Sequence, residues 1–177
     1  MKNLLDAPSA SATAPSQPAP SASGRVLILG IGNVLMGDEG VGVHVVRSLE
    51  AQAPVAGVRL LDGGTGGVNL LTEFEGISAI ILVDATRDGC DAGTIQYHYR
   101  RHGGFGKLPP ELGAHDFGLK DLFAAAALLK ILPEVHLYTI AIETIHPMTT
   151  ALSPEVAAAL PRIVSFTRSL SERLAAA

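Results

Sequence analysis

Residues 25–42, RVLILGIGNVLMGDEGVG, decide the fold of this 177-residue chain. The run 26–29 is continuously apolar, which predicts a strand covered on both faces. A glycine-rich turn follows, and residues 39–50 have apolar side chains at helical spacing. These are Val41, Val45, Val46 and Leu49. The stretch therefore begins an alternation of short apolar runs and helical segments that indicates an α/β layer fold.

The same alternation continues to the end of the chain and predicts four more strands. They are expected at residues 58–61, 77–83, 94–99 and 135–142. The run 94–99 is less apolar than the others and follows the turn Asp88-Gly89, which favours an antiparallel edge strand. We therefore predict an α/β fold with a single domain, a twisted, mostly parallel five-stranded sheet and helices on both faces.

Two further helices are predicted after the fourth strand. Asp116 is expected to cap the first of them. The buried face of that helix carries Leu119, Leu122, Phe123 and Ala126. Ser153 followed by Pro154 is a common start for the last helix, because serine caps and proline fits the first turn. Pro161 is predicted to kink or restart this helix.

Composition divides the chain into a tail and one domain. Residues 1–24 consist largely of Ala, Ser and Pro, which bury too little apolar surface to offset the entropy of ordering, so a disordered tail is expected. Residues 25–177 are expected to form the domain. The apolar pair Leu4-Leu5 is too short for a signal-peptide core, and no membrane-spanning segment is predicted.

Charge and cysteine content limit the partners and the compartment. The net charge of -4 comes without a cluster of basic residues, so nucleic acid is not expected as a partner. The single cysteine, Cys90, excludes an internal disulfide and a zinc site built from several thiolates. A cytoplasmic location is therefore expected.

Acidic residues stand at the carboxyl ends of the predicted strands. Asp38 and Glu39 follow the first strand, Asp62 follows the second, Asp84 closes the third and Glu143 follows the fifth. In open α/β sheets, ligands bind in the crevice at this edge. An acid buried there needs a cation, a metal or several backbone donors, so the pattern indicates a shared cation or metal site.

The glycine-rich turn is also compatible with a dinucleotide-binding loop, but its spacing argues against that interpretation. Gly37 comes five residues after Gly32, whereas the dinucleotide motif requires three. The two acids at the helix start would also repel a pyrophosphate. A simpler alternative is that these acids only complement the helix dipole. Gly40 and Gly42 argue against this alternative. Glycine in a helix costs about 1 kcal/mol relative to alanine, so two glycines here indicate that another part of the backbone approaches closely.

Four motifs in this order, GIGNVLMGDEGVGVHVV, LLDGGTGG, LVDAT and HDFGL, resemble the hydrogenase maturation protease family. The resemblance runs from about residue 25 to residue 159, the whole globular part. It implies a mixed five-stranded sheet flanked by helices and a metal-binding triad at Glu39, Asp84 and His115. Asp38 also matches the first motif.

The resemblance further implies an endopeptidase that removes the C-terminal extension from the nickel-loaded large-subunit precursor of a nickel-iron hydrogenase. That precursor is the expected partner. The nickel is expected to be carried by the substrate, and no nucleotide or organic cofactor is implied. The chemistry of the triad is compatible, because two carboxylates and one imidazole suit a borderline divalent ion such as nickel.

Water is the expected nucleophile, since the chain lacks a GxSxG motif and Cys90 has no evident base beside it. A bound ion would polarise the scissile carbonyl or activate the water, and Asp38 would act as the general base or hold the ligand geometry. Two alternatives remain open at this stage. One is a non-catalytic checkpoint chaperone that inspects the metallocentre, and the other is a nucleotide-binding, Rossmann-like protein.

The remaining candidates are histidines and glycines near the predicted crevice. His115 ends a long connection rich in Gly and Pro, which is typical of a binding loop. The other histidines rank lower: His98 and His102, His44 and His136 as structural or surface residues, and His146, which with Glu143 could contact substrate. Gly63 and Gly64 are expected to approach an extended peptide through main-chain hydrogen bonds.

Overall fold

The computed structural model describes residues 26–100 and 116–177. The predicted tail and two of the histidines, His102 and His115, lie outside these ranges. The strands are β1 (Val26–Ile31), β2 (Val58–Gly64), β3 (Ala79–Thr86), β4 (Ile95–Arg100) and β5 (Glu134–Ala141). The α-helices are α1 (Val41–Glu50), α2 (Asp116–Leu128) and α3 (Pro154–Ala175), with 3-10 helices at Gly37–Gly40 and Gly67–Phe74.

The five strands form one sheet in the order β2-β1-β3-β5-β4. Strands β2, β1, β3 and β5 are parallel to one another, and β4 lies antiparallel to β5 at one edge of the sheet. Every residue of β1 and β3 is buried, as the continuous apolar runs predict for central strands. The predicted fold class and the antiparallel edge strand are therefore confirmed.

Helices cover both faces of the sheet and divide the core into two layers. α1 and α3 pack on the face that carries Val26 and Ile28 of β1. α2 and the 3-10 helix Gly67–Phe74 pack on the face that carries Leu27 and Leu29. Successive strand residues point to opposite faces, so a continuous apolar run supplies both layers at once.

The last helix corrects the restart that was predicted as one of two possibilities at Pro161. α3 continues through Pro161 as one helix and does not restart there. Proline removes one backbone hydrogen bond, the one to the carbonyl of Ala157, and both residues are exposed. Water can satisfy that carbonyl, while Ile163 and Val164 on the opposite face keep the following turn packed on the core. Packing of the buried face outweighs the local cost of the proline.

Two strands extend past their apolar runs, which corrects the predicted positions of two acids. β2 continues through Asp62 to Gly64, and β3 continues through Asp84 to Thr86. Both acids therefore lie within strands and not after them. The reason is pairing with neighbours, since Asp62 pairs in register with Gly30 and Asp84 with Thr139. The apolar run ends before the backbone hydrogen bonds between the strands do, so the sequence does not show where each strand ends.

Candidate functional site

Glycines bring the start of α1 against the carboxyl edge of the sheet. A Cβ on Gly42 would lie 2.2 Å from the carbonyl oxygen of Val83 and 2.4 Å from that of Ile31. A Cβ on Gly40 would lie 2.7 Å from the Cα of Val34. These distances are far below van der Waals contact, so the two glycines permit the close backbone approach that the sequence predicted. The 3-10 helix Gly37–Gly40 is thereby fixed over the ends of β1 and β3.

Asp38 is a buried carboxylate that joins two parts of the site. Its side chain is 3% exposed, and its Oδ1 accepts a hydrogen bond of 2.6 Å from the backbone N–H of Ser153. Ser153 is the N-cap of α3, where its hydroxyl accepts from the N–H of Val156 at 3.4 Å. The loop after β1 is therefore connected through Asp38 to the first turn of α3.

Glu39 and Asp84 are buried at the same edge. They are 3% and 2% exposed, and the Oδ1 of Asp84 accepts a hydrogen bond of 2.8 Å from the N–H of Ala85. Glu39 precedes Gly42 by three residues, and Gly42 packs on the carbonyl of Val83, the residue before Asp84. Burying ionised carboxylates is costly unless they are paired or hydrogen-bonded, and acids buried at this edge are compatible with the predicted cation site.

The third predicted metal ligand, His115, lies outside the described residues. Within residues 26–100 and 116–177, no group of three or more His, Cys, Asp or Glu side chains is arranged to hold a metal ion. Glu39 and Asp84 supply hard oxygen donors, and an imidazole from elsewhere would complete the set that suits nickel. The donor chemistry fits the predicted triad, and the triad itself remains a prediction.

A second loop, residues 142–153, completes the edge. Glu143 and His146 of this loop were predicted near the crevice, but its contact with the loop after β1 was not. Met36 and Thr149 form an isolated parallel bridge, and the N–H of Gly37 donates to the carbonyl of Thr149 at 2.9 Å. Gly37 has a φ of +63°, which few other residues adopt without strain. No motif connects these segments, so their contact is visible only in the fold.

Glu143 lines a cleft whose walls include none of the three buried acids. The cleft has a volume of about 470 Å³ and is bounded by the loop after β3 and the start of α3. Its lining consists of Arg87, Gly89, Cys90, Asp91, Ala92, Ile142, Glu143 and Glu155. Glu143 is exposed, and its contact with substrate stays a prediction.

Gly63 and Gly64 already have partners for several main-chain groups. The N–H of Gly64 donates to Asp62 Oδ1 at 3.1 Å, and its carbonyl accepts from Gly32 at 2.9 Å. The carbonyl of Gly63 accepts from Gly66 at 2.9 Å, and a Cβ on Gly63 would lie 2.7 Å from a methyl carbon of Leu29. These contacts account for both glycines structurally, and substrate binding by them stays a prediction.

Cys90 has the wrong electrostatics for a nucleophile. It is fully exposed in the turn after β3, and its hydrogen bond with the carboxylate of Asp88 raises the pKa of the thiol. A thiol with a raised pKa forms less of the reactive thiolate. The geometry therefore agrees with the interpretation that Cys90 does not carry the reaction.

The described histidines have mostly structural surroundings. His44 lies in α1, and burial lowers the pKa of its imidazole, with Arg47 lowering it further. His98 lies in β4, with its Nε2 3.3 Å from the hydroxyl of Thr139. His146 is exposed in the loop 142–153, and its Cβ lies 3.4 Å from where a Cβ on Gly37 would be. Of these three, only His146 is exposed at the edge that carries the acids.

His136 is buried in β5 behind the aromatic side chains of β4. Its Nδ1 lies 2.7 Å from the hydroxyl of Tyr97, and its ring stacks on Tyr99. Glu134 Oε1 lies 3.4 Å from its Nε2, within ion-pair distance but without hydrogen-bond geometry. Burial lowers the pKa of this imidazole below its ordinary value of 6.5; Glu134 raises that pKa in part and Arg173 lowers it.

The free energy of unfolding should fall as the pH drops below about 6.5, because the unfolded chain takes up a proton before buried His136 does. The fall should level off below the lowered pKa of the folded state, and His136→Gln should reduce its slope between about pH 7 and pH 5. Urea denaturation at a series of pH values measures this. His44, whose pKa is also lowered, contributes equally to the wild type and to His136→Gln. If the free energy of unfolding depends on pH equally in both proteins, His136 is not the group responsible.

Sequence comparisons connect this arrangement to known proteins. The model of one family, HycI, hydrogenase maturation protease, matches residues 43–169. The hydrogenase expression/formation protein HupD of Rhodobacter capsulatus is 43% identical over 115 residues, which are 62% of this chain and 52% of that protein. The hydrogenase 2 maturation protease of Escherichia coli K12 is 32% identical over 102 residues, 57% and 62% of the two chains. The chain spans about half the length of the first curated relatives it matches.

Solved structures share the fold over most of the described residues. The hydrogenase maturating endopeptidase HybD from Escherichia coli has a TM-score of 0.70 at 28% identity, covering 82% of this chain and 93% of its own. The [NiFe] hydrogenase maturation protease HybD from Thermococcus kodakarensis has a TM-score of 0.69 at 31% identity, covering 83% and 99%. In the part of the chain that the structure describes, no helix is both long and apolar enough to cross a membrane.

Proposed function

Because this chain belongs to the hydrogenase maturation protease family, we propose that it is a cytoplasmic endopeptidase that processes the large-subunit precursor of a nickel-iron hydrogenase. It cleaves one peptide bond and removes the precursor's C-terminal extension. The observation that carries this proposal is the group of three buried acids, Asp38, Glu39 and Asp84, at the carboxyl edge of a family fold. A parallel sheet binds its ligands at that edge.

Glu39, Asp84 and His115 recognise the nickel that the precursor already carries. Two of these are the buried carboxylates described above, and their low exposure leaves them few uses other than contact with a cation or a donor. Nickel is part of the substrate in this proposal, so a precursor without nickel lacks the feature that the carboxylates recognise. Cleavage therefore follows metal insertion and does not precede it.

Asp38 positions the site. Its Oδ1 is used by the N–H of Ser153, so this oxygen holds the loop after β1 against α3. Hydrogen bonds from a backbone N–H to a carboxylate are charge-assisted and roughly twice as strong as neutral ones. Of the two roles open for Asp38 from the sequence, base or holder of geometry, this contact supports the second. Water is then directed at the scissile carbonyl by the geometry that Asp38 maintains.

The test is incubation of the purified chain with nickel-loaded and nickel-free large-subunit precursor, followed by intact-mass analysis. We expect loss of one C-terminal peptide from the loaded precursor only. The control is the loaded precursor incubated without the chain, which excludes self-cleavage. Equal cleavage of the nickel-loaded and nickel-free precursor would contradict nickel recognition but would still support the peptidase activity.

Binding of the loaded precursor without any cleavage would favour the checkpoint chaperone over the peptidase. The two functions need the same docking surface but differ in chemistry, so mass analysis and a binding measurement on the same samples separate them. A shift in the melting temperature with NAD, unaffected by nickel, would instead support the nucleotide-binding alternative.

A further inference from the structure

Two large apolar side chains project into solvent beside the buried acids. Leu35 is 55% exposed and Met148 is 90% exposed. Leu35 lies in the loop between β1 and the 3-10 helix that carries Asp38 and Glu39. Met148 lies in the loop 142–153, the same loop that ends at Ser153, whose N–H donates to Asp38. We call the pair Leu35 and Met148 the apolar rim.

The two loops hold the apolar rim together. Met36 and Thr149 pair in a parallel bridge, so the residues that precede them, Leu35 and Met148, are neighbours across the pairing. The N–H of Leu35 donates to Asn33 Oδ1 at 3.0 Å, and the N–H of Met36 donates to the carbonyl of Asn33 at 3.0 Å. Hydrogen bonds therefore fix the backbone on the Leu35 side of the rim.

Met148 has a backbone conformation that requires an explanation. Its φ is +63°, and a residue other than glycine is strained there. Lys130 has a similar φ of +58°, but it follows the end of α2, where helices commonly finish in this conformation, whereas Met148 lies in a loop at the edge that carries the acids. Here the strained residue presents an unbranched, adaptable side chain to solvent, which is the type of side chain that fills irregular apolar surfaces on a partner.

We infer that the apolar rim is a docking surface for apolar side chains of the precursor protein, next to the scissile bond. The inference rests on the proposed function and names residues that select its substrate. A protease must contact its protein substrate around the site of cleavage, and Asp38, Glu39 and Asp84 lie beneath the surface. The rim is continuous with them through the Met36–Thr149 bridge and the contact between Asp38 and Ser153. A partner that binds at this edge therefore meets the rim beside the segments that carry the acids.

The test uses the full chain with Leu35→Ser and Met148→Ser, and Leu128→Ser as the matched control. Leu128 is 83% exposed at the end of α2, from which the chain turns back to begin β5, so it lies at the opposite edge of the sheet. We expect each rim variant to raise KM for the nickel-loaded precursor about tenfold, with kcat within about twofold of the wild type. The control should match the wild type in both constants.

A second measurement does not depend on cleavage. Titration of nickel-free precursor against the wild type and the three variants should show Kd raised about tenfold for the rim variants only. Rim variants that match Leu128→Ser in KM and Kd would overturn the docking surface while the peptidase stands. Selective loss of affinity without any cleavage by the wild type would support the docking surface and overturn the peptidase. A wild type that neither binds nor cleaves the precursor would overturn both.

Discussion

Replacing Glu39 by Gln or Asp84 by Asn is expected to lower the rate of precursor cleavage by about 100-fold or more. Each change removes one negative charge from a buried position while keeping the shape of the side chain. The amide oxygens are weaker donors to a divalent ion, so the precursor's nickel is held poorly or not at all. Single-turnover cleavage followed by intact mass measures the rate, and melting temperature shows whether each variant is folded.

Asp62→Asn is the matched control for these two variants. Asp62 is an exposed acid in β2, paired with Arg47 at 3.2 Å. Both side chains are more than a third exposed, so the ion pair contributes at most about 1 kcal/mol to stability. We expect cleavage within about twofold of the wild type. If all three variants cleave at the wild-type rate, the buried acids do not recognise the metal.

Two changes at Asp38 separate its possible roles in the same assay. Asp38→Asn keeps an oxygen that can accept from the N–H of Ser153, whereas Asp38→Ala removes it. A positioning role therefore predicts a loss of about tenfold or less for Asn and a much larger loss for Ala. A general base would be removed equally by both changes, so equal losses of 100-fold or more would contradict the positioning role.

Gly42→Ala is expected to destabilise the protein by about 3 kcal/mol or more and to abolish cleavage. The added carbon would lie 2.2 Å from the carbonyl oxygen of Val83 and 2.4 Å from that of Ile31. Both neighbours are backbone atoms of central strands, so α1 has to move away from the sheet. A domain of this size should lose roughly 10 °C in melting temperature, measurable by thermal denaturation.

Gly89→Ala distinguishes this steric effect from the general cost of replacing glycine. Gly89 has a φ of +80°, and a Cβ there would meet nothing within 4 Å. The change strains one backbone position in an exposed turn, at a cost of about 1 kcal/mol, without displacing any element. We expect cleavage to remain near the wild-type rate. A Gly42→Ala variant as stable as Gly89→Ala would show that α1 can shift without loss of packing.

The position of the buried acids in the fold was predictable, because it depends on residues that are neighbours in the chain. Asp38 and Glu39 stand at a helix start after a strand, and Asp84 ends an apolar run, so their place at the carboxyl edge follows from the α/β alternation alone. The requirement for glycine at position 42 was also readable, because glycine in a helix is costly unless backbone atoms approach closely. The structure shows which atoms these are, the carbonyl oxygens of Val83 and Ile31.

Other features depend on residues far apart in the sequence. The bond between Asp38 and Ser153 spans 115 residues, and nothing in either segment indicates the other. Pro161 illustrates the same limit, because local propensity predicts an interruption and the packing of Ile163 and Val164 maintains the helix. Strand ends at Gly64 and Thr86 likewise depend on neighbouring strands and not on hydrophobicity.

By itself, the sequence determined that helices cover both faces of a sheet and that the sheet is parallel except for one edge strand. It also determined that the acids lie at the carboxyl ends of the parallel strands. Each of these follows from local periodicity, because burial on two faces requires continuous apolar runs and helices require apolar faces. Only the tertiary structure decided that the loop 142–153 closes on the loop after β1, where it presents Met148 beside Leu35 and supplies an N–H to Asp38. Such contacts form because the parallel strands end at one edge and bring distant loops together, and spacing along the chain does not encode that proximity.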